Sequence, residues 1–191
     1  MMMNEFSIVC RLLGTIFQRE PADPILSPII AMIGDGKLSA LWPLEQDELF
    51  NTLKHSVKDL ALVKTDYQTL FGGEAPAVSI YAHDYTDIKE EDTRQFLVAR
   101  GMPVTESATD SFGALLLAAS WLEDNSAQDE ILAQTQLFDE YLLPWAGAFL
   151  GKVEAHATSG FYRTLAAITR GALSALHEEL LDDETNDAEE E

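Results

Sequence analysis

The sequence contains a single cysteine, Cys10, among 191 residues, so no intramolecular disulfide can form. Such scarcity of cysteine is typical of proteins from reducing compartments. Cys10 shares an apolar helical pattern with Phe6, Val9, Leu13 and Phe17, which predicts that it is a buried core residue. The first residues (MMMNEFSIV) have neither the basic start nor the apolar run of a secretory signal, and we therefore expect a cytoplasmic protein.

Long apolar stretches are also missing. The longest stretch free of charged residues, Ser111 to Leu122, has 12 residues. A helix that spans a bilayer needs roughly 20 predominantly apolar residues. The sequence therefore predicts no membrane-spanning segment.

Basic residues are few: 12 Lys and Arg face 33 Asp and Glu, which gives a formal net charge of -21. Residues 178–191 hold nine of these carboxylates and no Lys or Arg, so residues 1–177 alone still carry a net charge of -12. Clustered cations are needed to neutralise phosphate, so this composition excludes nonspecific binding to nucleic acid and attachment to anionic membranes. It favours a partner with a cationic surface.

Recognisable catalytic patterns are absent as well. No glutamate stands three residues before any histidine, as di-iron helical bundles would require, for His55, His83, His156 or His177. The run from Gly34 to Lys37 does not complete a Walker motif, and no G-x-S-x-G segment occurs. We therefore expect no enzymatic activity, no catalytic residue, no metal site and no cofactor.

The pattern that is present is helical. Apolar residues recur at helical spacing in residues 4–18, 44–70, 87–100, 109–122, 126–155 and 158–181, with a short helix beginning at Ser27. Ser126 and Asp129 fit a capping box, and Pro144 predicts a kink. Residues 72–86 and 102–107 are not helical. The sequence thus predicts an all-α domain over residues 1–181, as one body or as two lobes joined near residues 101–108, followed by a disordered acidic tail, 182–191.

Three segments carry a resemblance to a known family. The first runs from Tyr67 to Gly73 (YQTLFGG) and continues as Pro76 to Tyr81 (PAVSIY). The second is Asp110-Ser111-Phe112-Gly113 after the break at 102–107. The third joins Phe138 to Trp145 (FDEYLLPW) with Phe161-Tyr162. In their order and spacing these segments resemble the TorD/DmsD family, which is related to NarJ-type proteins.

The resemblance implies an all-helical cytoplasmic chaperone of molybdenum-cofactor oxidoreductases. Such a chaperone binds the twin-arginine signal peptide or the apo form of its client, and assists cofactor insertion and proofreading before export. In the family the hinge often reads Glu-Pro-x-Asp-His, whereas Ser111 here stands at the histidine position. Some relatives exchange helices beyond the hinge to form dimers; we expect a monomer, with a domain-swapped dimer as a minority form.

The resemblance also implies which residues contact the client. They are Tyr67, Leu70, Phe71, Pro76, Ser79, Tyr81, Asp110 and Ser111. We expect them to line a groove where residues 67–81 face the hinge, with apolar side chains on its floor and carboxylates at its rim. Two alternatives stay open, a NarJ-like assembly factor for a non-exported subunit and an acidic helical adaptor that binds a basic protein surface. For Leu70 and Phe71 in particular, helical spacing favours a core position over a contact with the client.

Overall fold

Nearly every segment with a helical apolar period forms a helix in the computed structural model, which describes residues 3–125 and 130–190. The helices are α1 (Met3–Gln18), α2 (Ser27–Gly34), α3 (Lys37–Leu41), α4 (Asp47–Ser56), α5 (Leu60–Leu70), α6 (Glu90–Ala99), α7 (Phe112–Asn125), α8 (Glu130–Gln136), α9 (Leu143–His156) and α10 (Gly160–Glu190). Within these described ranges there is no β-strand, only an isolated antiparallel bridge between Tyr81 and Ser111. The predicted all-α class is confirmed.

The long helix predicted over residues 44–70 is wrong, because the chain breaks into α4 and α5 at residues 57–59. Asp59 lies outside the helical region of the backbone, and its carboxylate accepts a hydrogen bond from the Leu62 amide at 3.2 Å. A capping carboxylate of this kind accepts a hydrogen bond from an amide in the first turn of a helix, where the amides have no acceptor within the helix itself. Asp59 thus begins a new helix instead of continuing the old one.

The helix predicted over residues 126–155 is interrupted by a π-helical turn, Leu137–Leu142, between α8 and α9. At its end the Leu143 amide donates to the Phe138 carbonyl, five residues back. Pro144 follows at once, and since proline lacks an amide hydrogen and crowds the carbonyl four residues earlier, the wider turn relieves that conflict. The capping residues expected at Ser126 and Asp129 lie outside the described residues.

Helix α10 continues to Glu190, through the acidic segment for which the sequence predicts disorder. Leu176 and Leu180 are still buried near the end of its packed part. Extending an existing helix avoids the cost of nucleation, and Glu, which is frequent in this segment, favours the helical conformation. These two effects account for the difference.

The chain divides into two compact units. Unit 1 consists of residues 1–18, 81–146 and 172–191, and unit 2 of residues 19–80 and 147–171. The sequence predicts a joint near residues 101–108, and this position is wrong, because that segment lies wholly inside unit 1. Hydrogen bonds from Arg94 to its backbone carbonyls hold this segment as an ordered, non-helical loop.

The core of unit 1 is built on close contact between α1 and α7. A Cβ added to Gly14 would lie 3.0 Å from the Gly113 carbonyl oxygen, so the two backbones approach each other where glycine allows it. Phe17 meets Phe112 edge to face, with ring centroids 5.1 Å apart. Cys10 is fully buried, as predicted, and burial raises the pKa of its thiol above the ordinary value.

Unit 2 contains two polar anchors among its aromatic side chains. The Trp42 indole donates to the half-buried Gln46 Oε1 at 2.8 Å, and Gln46 Nε2 donates to the Ile168 carbonyl at 3.0 Å. Asp66, which is fully buried, accepts hydrogen bonds from the backbone and side chains of Thr158 and Ser159. These contacts fix the loop before α10 against α5.

Candidate functional site

Three of the predicted site residues meet in unit 1 at the isolated antiparallel bridge. Tyr81 pairs with Ser111, and the Ala82 amide donates to the Asp110 carbonyl at 3.0 Å. The short 3₁₀ turn that follows, Ala82–Asp84, turns His83 back towards Asp110. We call Tyr81, His83, Asp110 and Ser111 the bridge cluster.

Asp110 is the buried charge of the bridge cluster. Its side chain has no exposed area, whereas the His83 side chain is 47% exposed. His83 Nδ1 lies 2.6 Å from Asp110 Oδ2, and the His83 amide donates to the same oxygen at 3.4 Å. The other carboxylate oxygen, Oδ1, is buried and accepts no hydrogen bond from the described part of the chain. A buried acceptor without a donor is costly, and such groups mark sites that warrant a functional explanation.

The carboxylate also sets the charge state of the imidazole. The hydrogen bond from His83 to Asp110 raises the pKa of His83 above its ordinary value, and the negative charges of Asp110 and Asp84 act in the same direction. The Tyr81 ring stacks on the imidazole, with centroids 5.4 Å apart and planes 12° from parallel. The cluster therefore presents a flat pair of rings above a buried negative charge.

Ser111 ties the bridge cluster to two helices. Its hydroxyl donates to Gln18 Oε1 at 2.9 Å and accepts from the Ala114 amide at 3.2 Å, which caps the start of α7. A Cβ at Gly113 would lie 2.8 Å from the Gln18 amide nitrogen, so only glycine allows this approach to the end of α1. This explains the Asp-Ser-Phe-Gly run in physical terms: a buried acceptor, a cap, a core ring and a close backbone contact.

The loop after α6 is held over a small apolar pocket. Arg94 donates to the carbonyls of Thr105 and Ser107 at 2.6 and 2.9 Å, and Glu90 accepts from the amide and hydroxyl of Thr109. Arg94 and Thr109 together hold the pKa of Glu90 below its ordinary value. The pocket beneath has a volume of about 190 Å³, and its lining includes Gln18 together with the apolar residues Leu97, Met102, Pro103, Val104 and Leu117.

The remaining predicted site residues belong to unit 2. The chain after α5 folds back on it, because the Ala77 and Val78 amides donate to the Thr69 and Leu70 carbonyls at 3.1 and 2.9 Å. This backbone contact sets the position of Pro76, which is exposed, and of Ser79, which is half-buried. Leu70 is fully buried, so in this conformation it supports the surface rather than forming it.

Tyr67 and Phe71 are half-buried in an aromatic cluster of unit 2. Their rings lie 5.6 Å apart, and Phe71 also packs against Phe149 and Tyr162 at 6.1 and 5.7 Å. The Tyr162 hydroxyl is buried without a hydrogen-bond partner in the described ranges, and burial raises its pKa. The predicted site residues therefore fall into two groups, one in each unit.

Sequence reasoning missed some of the polar residues that organise these groups. The sequence suggests only Asp84 as a carboxylate neighbour of His83 and favours no catalytic or metal role for the pair, whereas the partner in the structure, Asp110, lies 27 positions away. Asp66 was missed for the same reason, although a signal existed. It falls on the apolar face of α5 with Val63 and Leu70, where a carboxylate can be buried only with partners.

The described residues contain no group of three or more His, Cys, Asp or Glu side chains arranged to hold a metal ion. No helix among them is long and apolar enough to cross a membrane.

Comparison with known proteins places these features in a family. The model of the family described as the nitrate reductase delta subunit matches residues 36–151. The chaperone protein YcdY of Escherichia coli K12 is 53% identical over 182 residues, which cover 95% of this chain and 98% of that protein. The Tat proofreading chaperone DmsD of Salmonella typhi is 28% identical over 195 residues, covering 93% of this chain and 92% of that protein.

Proposed function

The chain belongs to the nitrate reductase delta subunit family, whose named relatives are chaperones and not enzymes, and we propose that it acts in the cytoplasm on a molybdenum-cofactor oxidoreductase. The resemblance to the TorD/DmsD family is thereby confirmed. In this proposal the protein, acting as a monomer, binds the signal peptide or apo form of that client before export. It assists cofactor insertion without holding a cofactor itself.

The bridge cluster is the observation that carries this proposal. The antiparallel pairing joins residues that are 30 positions apart in the chain and belong to two of the segments that resemble the family, Tyr81 and Ser111. It sets two stacked rings above Asp110, whose Oδ1 accepts no hydrogen bond from the described residues. A cationic segment flanked by apolar side chains suits such a surface, since rings attract cations and a buried carboxylate attracts donors.

The proposed client site keeps the eight residues of the sequence prediction. They are Tyr67, Leu70, Phe71, Pro76, Ser79, Tyr81, Asp110 and Ser111. Within this set Tyr81 is the one we expect to touch the client directly in unit 1. Asp110 and Ser111 are buried and position it. In unit 2, Phe71 and Tyr67 are half-buried, and we expect them to touch the client directly as well.

Peptide binding to a bridge-cluster variant tests the proposal. We would titrate a fluorescent peptide with two adjacent arginines and an apolar segment into the wild-type protein and into a Tyr81→Ala, Asp110→Asn variant. The expected result is a loss of affinity of at least about tenfold, because both the ring platform and the buried charge are removed. Tyr81→Phe, which keeps the ring, is the matched control and should bind as the wild type does.

Unchanged affinity in a variant that keeps its circular dichroism spectrum and cooperative melting would exclude the bridge cluster as the site. Failure of the peptide to bind the wild type at all would instead count against the signal-peptide function.

A second candidate function is favoured by the family's own description, which refers to a nitrate reductase subunit. In that case the protein assembles a non-exported enzyme subunit and recognises no signal peptide. Affinity capture with the full chain, followed by mass spectrometry, separates the two: a captured oxidoreductase that carries a twin-arginine leader supports the first, and one without a leader supports the second.

A further inference from the structure

A second surface of unit 1, separate from the bridge cluster, has the chemistry of a binding groove. It is a shallow depression of about 700 Å³ between α6 with the residues before it and the π-helical turn. Its lining combines acidic and apolar side chains, among them Asp87, Ile88, Asp92, Phe96, Glu140 and Tyr141. We call it the α6 groove.

The floor of the α6 groove is aromatic. The rings of Phe96 and Tyr141 lie 4.8 Å apart, and Phe96 is only 7% exposed. The guanidinium of Arg100 already lies over Phe96, 4.1 Å from the ring centroid, and is held there by Gln136 at 2.8 Å. The Phe96 ring is therefore a cation–π acceptor within the protein itself, and the Tyr141 ring beside it is partly exposed.

The rim of the α6 groove is negatively charged and unneutralised. Asp87, Asp92 and Glu140 are exposed, and none of them forms an ion pair with a residue that the structure describes. Of the two neighbouring arginines, Arg94 pairs with Glu90, whereas Arg100 donates to Gln136 and lies over the Phe96 ring. Glu140 accepts a hydrogen bond from the neutral Gln136 amide. Three carboxylates beside a single arginine leave the groove with a net negative charge.

The backbone that presents this surface is unusual. Glu140 and Tyr141 both lie within the π-helical turn, which changes the direction of their side chains relative to a regular α-helix. Such turns are rare, pair each amide with the carbonyl five residues back, and occur frequently at functional sites. On α6, Asp92 and Phe96 are spaced by four residues and share one face, opposite this turn.

We propose that the α6 groove binds an arginine side chain of a cationic peptide segment, with the guanidinium between the rim carboxylates and over the Tyr141 ring. The identity of that segment as part of a client polypeptide rests on the function proposed above; the site itself rests on the groove. An arginine suits it better than a lysine, because its planar group stacks on rings and donates to two carboxylates at once. The α6 groove would thus be a second subsite, specific for a positively charged side chain, in addition to the client site proposed at the bridge cluster.

The test compares two peptides on two variants. One labelled peptide carries adjacent arginines before an apolar segment, and the other has glutamines in their place. In the Asp92→Asn, Glu140→Gln variant the dissociation constant of the arginine peptide should rise about fivefold, and that of the glutamine peptide should not change. The matched control, Asp182→Asn with Glu184→Gln, makes the same charge change on α10 and should leave both affinities unchanged.

Equal affinity of the arginine peptide for the groove variant and the wild type would overturn the proposal. An equal loss of affinity for both peptides would also overturn it, because the groove would then not distinguish arginine from glutamine. A Tyr141→Leu variant gives an independent check, since removal of the ring should weaken arginine binding about threefold while the carboxylates stay in place.

A second measurement keeps the groove testable if neither long peptide binds the wild type, the outcome that refutes the signal-peptide function. Diarginine amide is titrated into ¹⁵N-labelled protein, and amide shifts are followed. Saturable shifts confined to residues 87–96 and 136–142, absent in the groove variant, support the subsite. Shifts elsewhere only, or none, overturn it.

Discussion

Two aspartates, one in each unit, have no exposed area and yet have opposite surroundings. Asp66 of unit 2 uses both oxygens: Oδ1 accepts from the amide and hydroxyl of Thr158 at 3.0 and 3.2 Å, and Oδ2 from the amide and hydroxyl of Ser159. Asp110 of unit 1 uses one oxygen, which accepts from His83, and its Oδ1 has no donor among the described residues.

The difference separates a structural carboxylate from one suited to binding. Four donors compensate the loss of solvation at Asp66, so nothing remains for a ligand to contribute. At Asp110 the compensation is incomplete, and its main partner is a half-exposed imidazole that solvent or a ligand can reach. An additional donor brought by a partner would therefore stabilise Asp110, but would find no free acceptor at Asp66.

Removing the satisfied carboxylate should have the largest effect on stability. Asp66→Ala leaves four donors without an acceptor and detaches the loop before α10 from α5. We expect the free energy of unfolding to fall by about 3 kcal/mol. Chemical denaturation monitored by circular dichroism measures it, and Asp59→Ala, which removes an exposed cap on the same helix, should cost only about 1 kcal/mol. A smaller loss at Asp66 than at Asp59 would contradict the assignment.

Changing Asp110, whose hydrogen bonding is incomplete, should reduce stability less than changing Asp66 does, but should reduce peptide affinity more. Asp110→Asn keeps an acceptor for His83 and introduces an amide where the oxygen lacked a donor, so we expect a loss of about 1 kcal/mol in the free energy of unfolding. Peptide affinity should fall nonetheless, because the charge is gone. The comparison fails if Asp110→Asn destabilises the protein as much as Asp66→Ala does, or if it leaves peptide affinity at the wild-type value.

The sequence predicts one side of this comparison better than the other. Asp110 could be placed at a site because the Asp-Ser-Phe-Gly run resembles a family motif, and the helical periods placed α1, α6 and α7 correctly within a few residues. The partners of both aspartates could not be predicted. His83 and Ser159 lie 27 and 93 positions away, and pairing over such separations depends on packing that local patterns do not encode.

The breaks in helices were likewise predicted only in part. Pro144 signalled a disturbance in the helix that contains it, but not the π-helical turn that precedes it, since the choice between a kink and a wider turn depends on surrounding contacts. The split between α4 and α5 depends on one capping carboxylate, Asp59, which the apolar spacing of residues 44–70 concealed.

Loss of the helix cap at the bridge cluster should have an intermediate effect on stability. Ser111→Ala removes the hydroxyl that accepts from the Ala114 amide and donates to Gln18. We expect the free energy of unfolding to fall by about 1 kcal/mol, the usual cost of losing a helix cap. Ser111→Asn, which can still cap, should recover part of it. If peptide affinity fell while stability did not, Ser111 would be a contact residue instead of a positioning residue.

The smallest expected effect is the dependence of stability on pH. It distinguishes the two aspartates because only Asp110 has a titratable partner. The hydrogen bond to Asp110 raises the pKa of His83 above 6.5, so the folded state binds the proton more tightly than the unfolded state. The stability that this adds is fully present below pH 6.5 and is lost as the pH rises through the folded pKa.

We therefore expect the imidazole ¹H resonances of His83 to titrate above pH 6.5 in the wild type and to return towards that value in Asp110→Asn. The stability difference between these two proteins should shrink as the pH rises above 6.5. For Asp66→Asn no such narrowing should occur, since hydroxyls and amides do not titrate in this range. An unshifted His83 would mean that its ring faces solvent and that Asp110 is buried without a charged partner, which would remove the basis for the bridge cluster as a cation-binding surface.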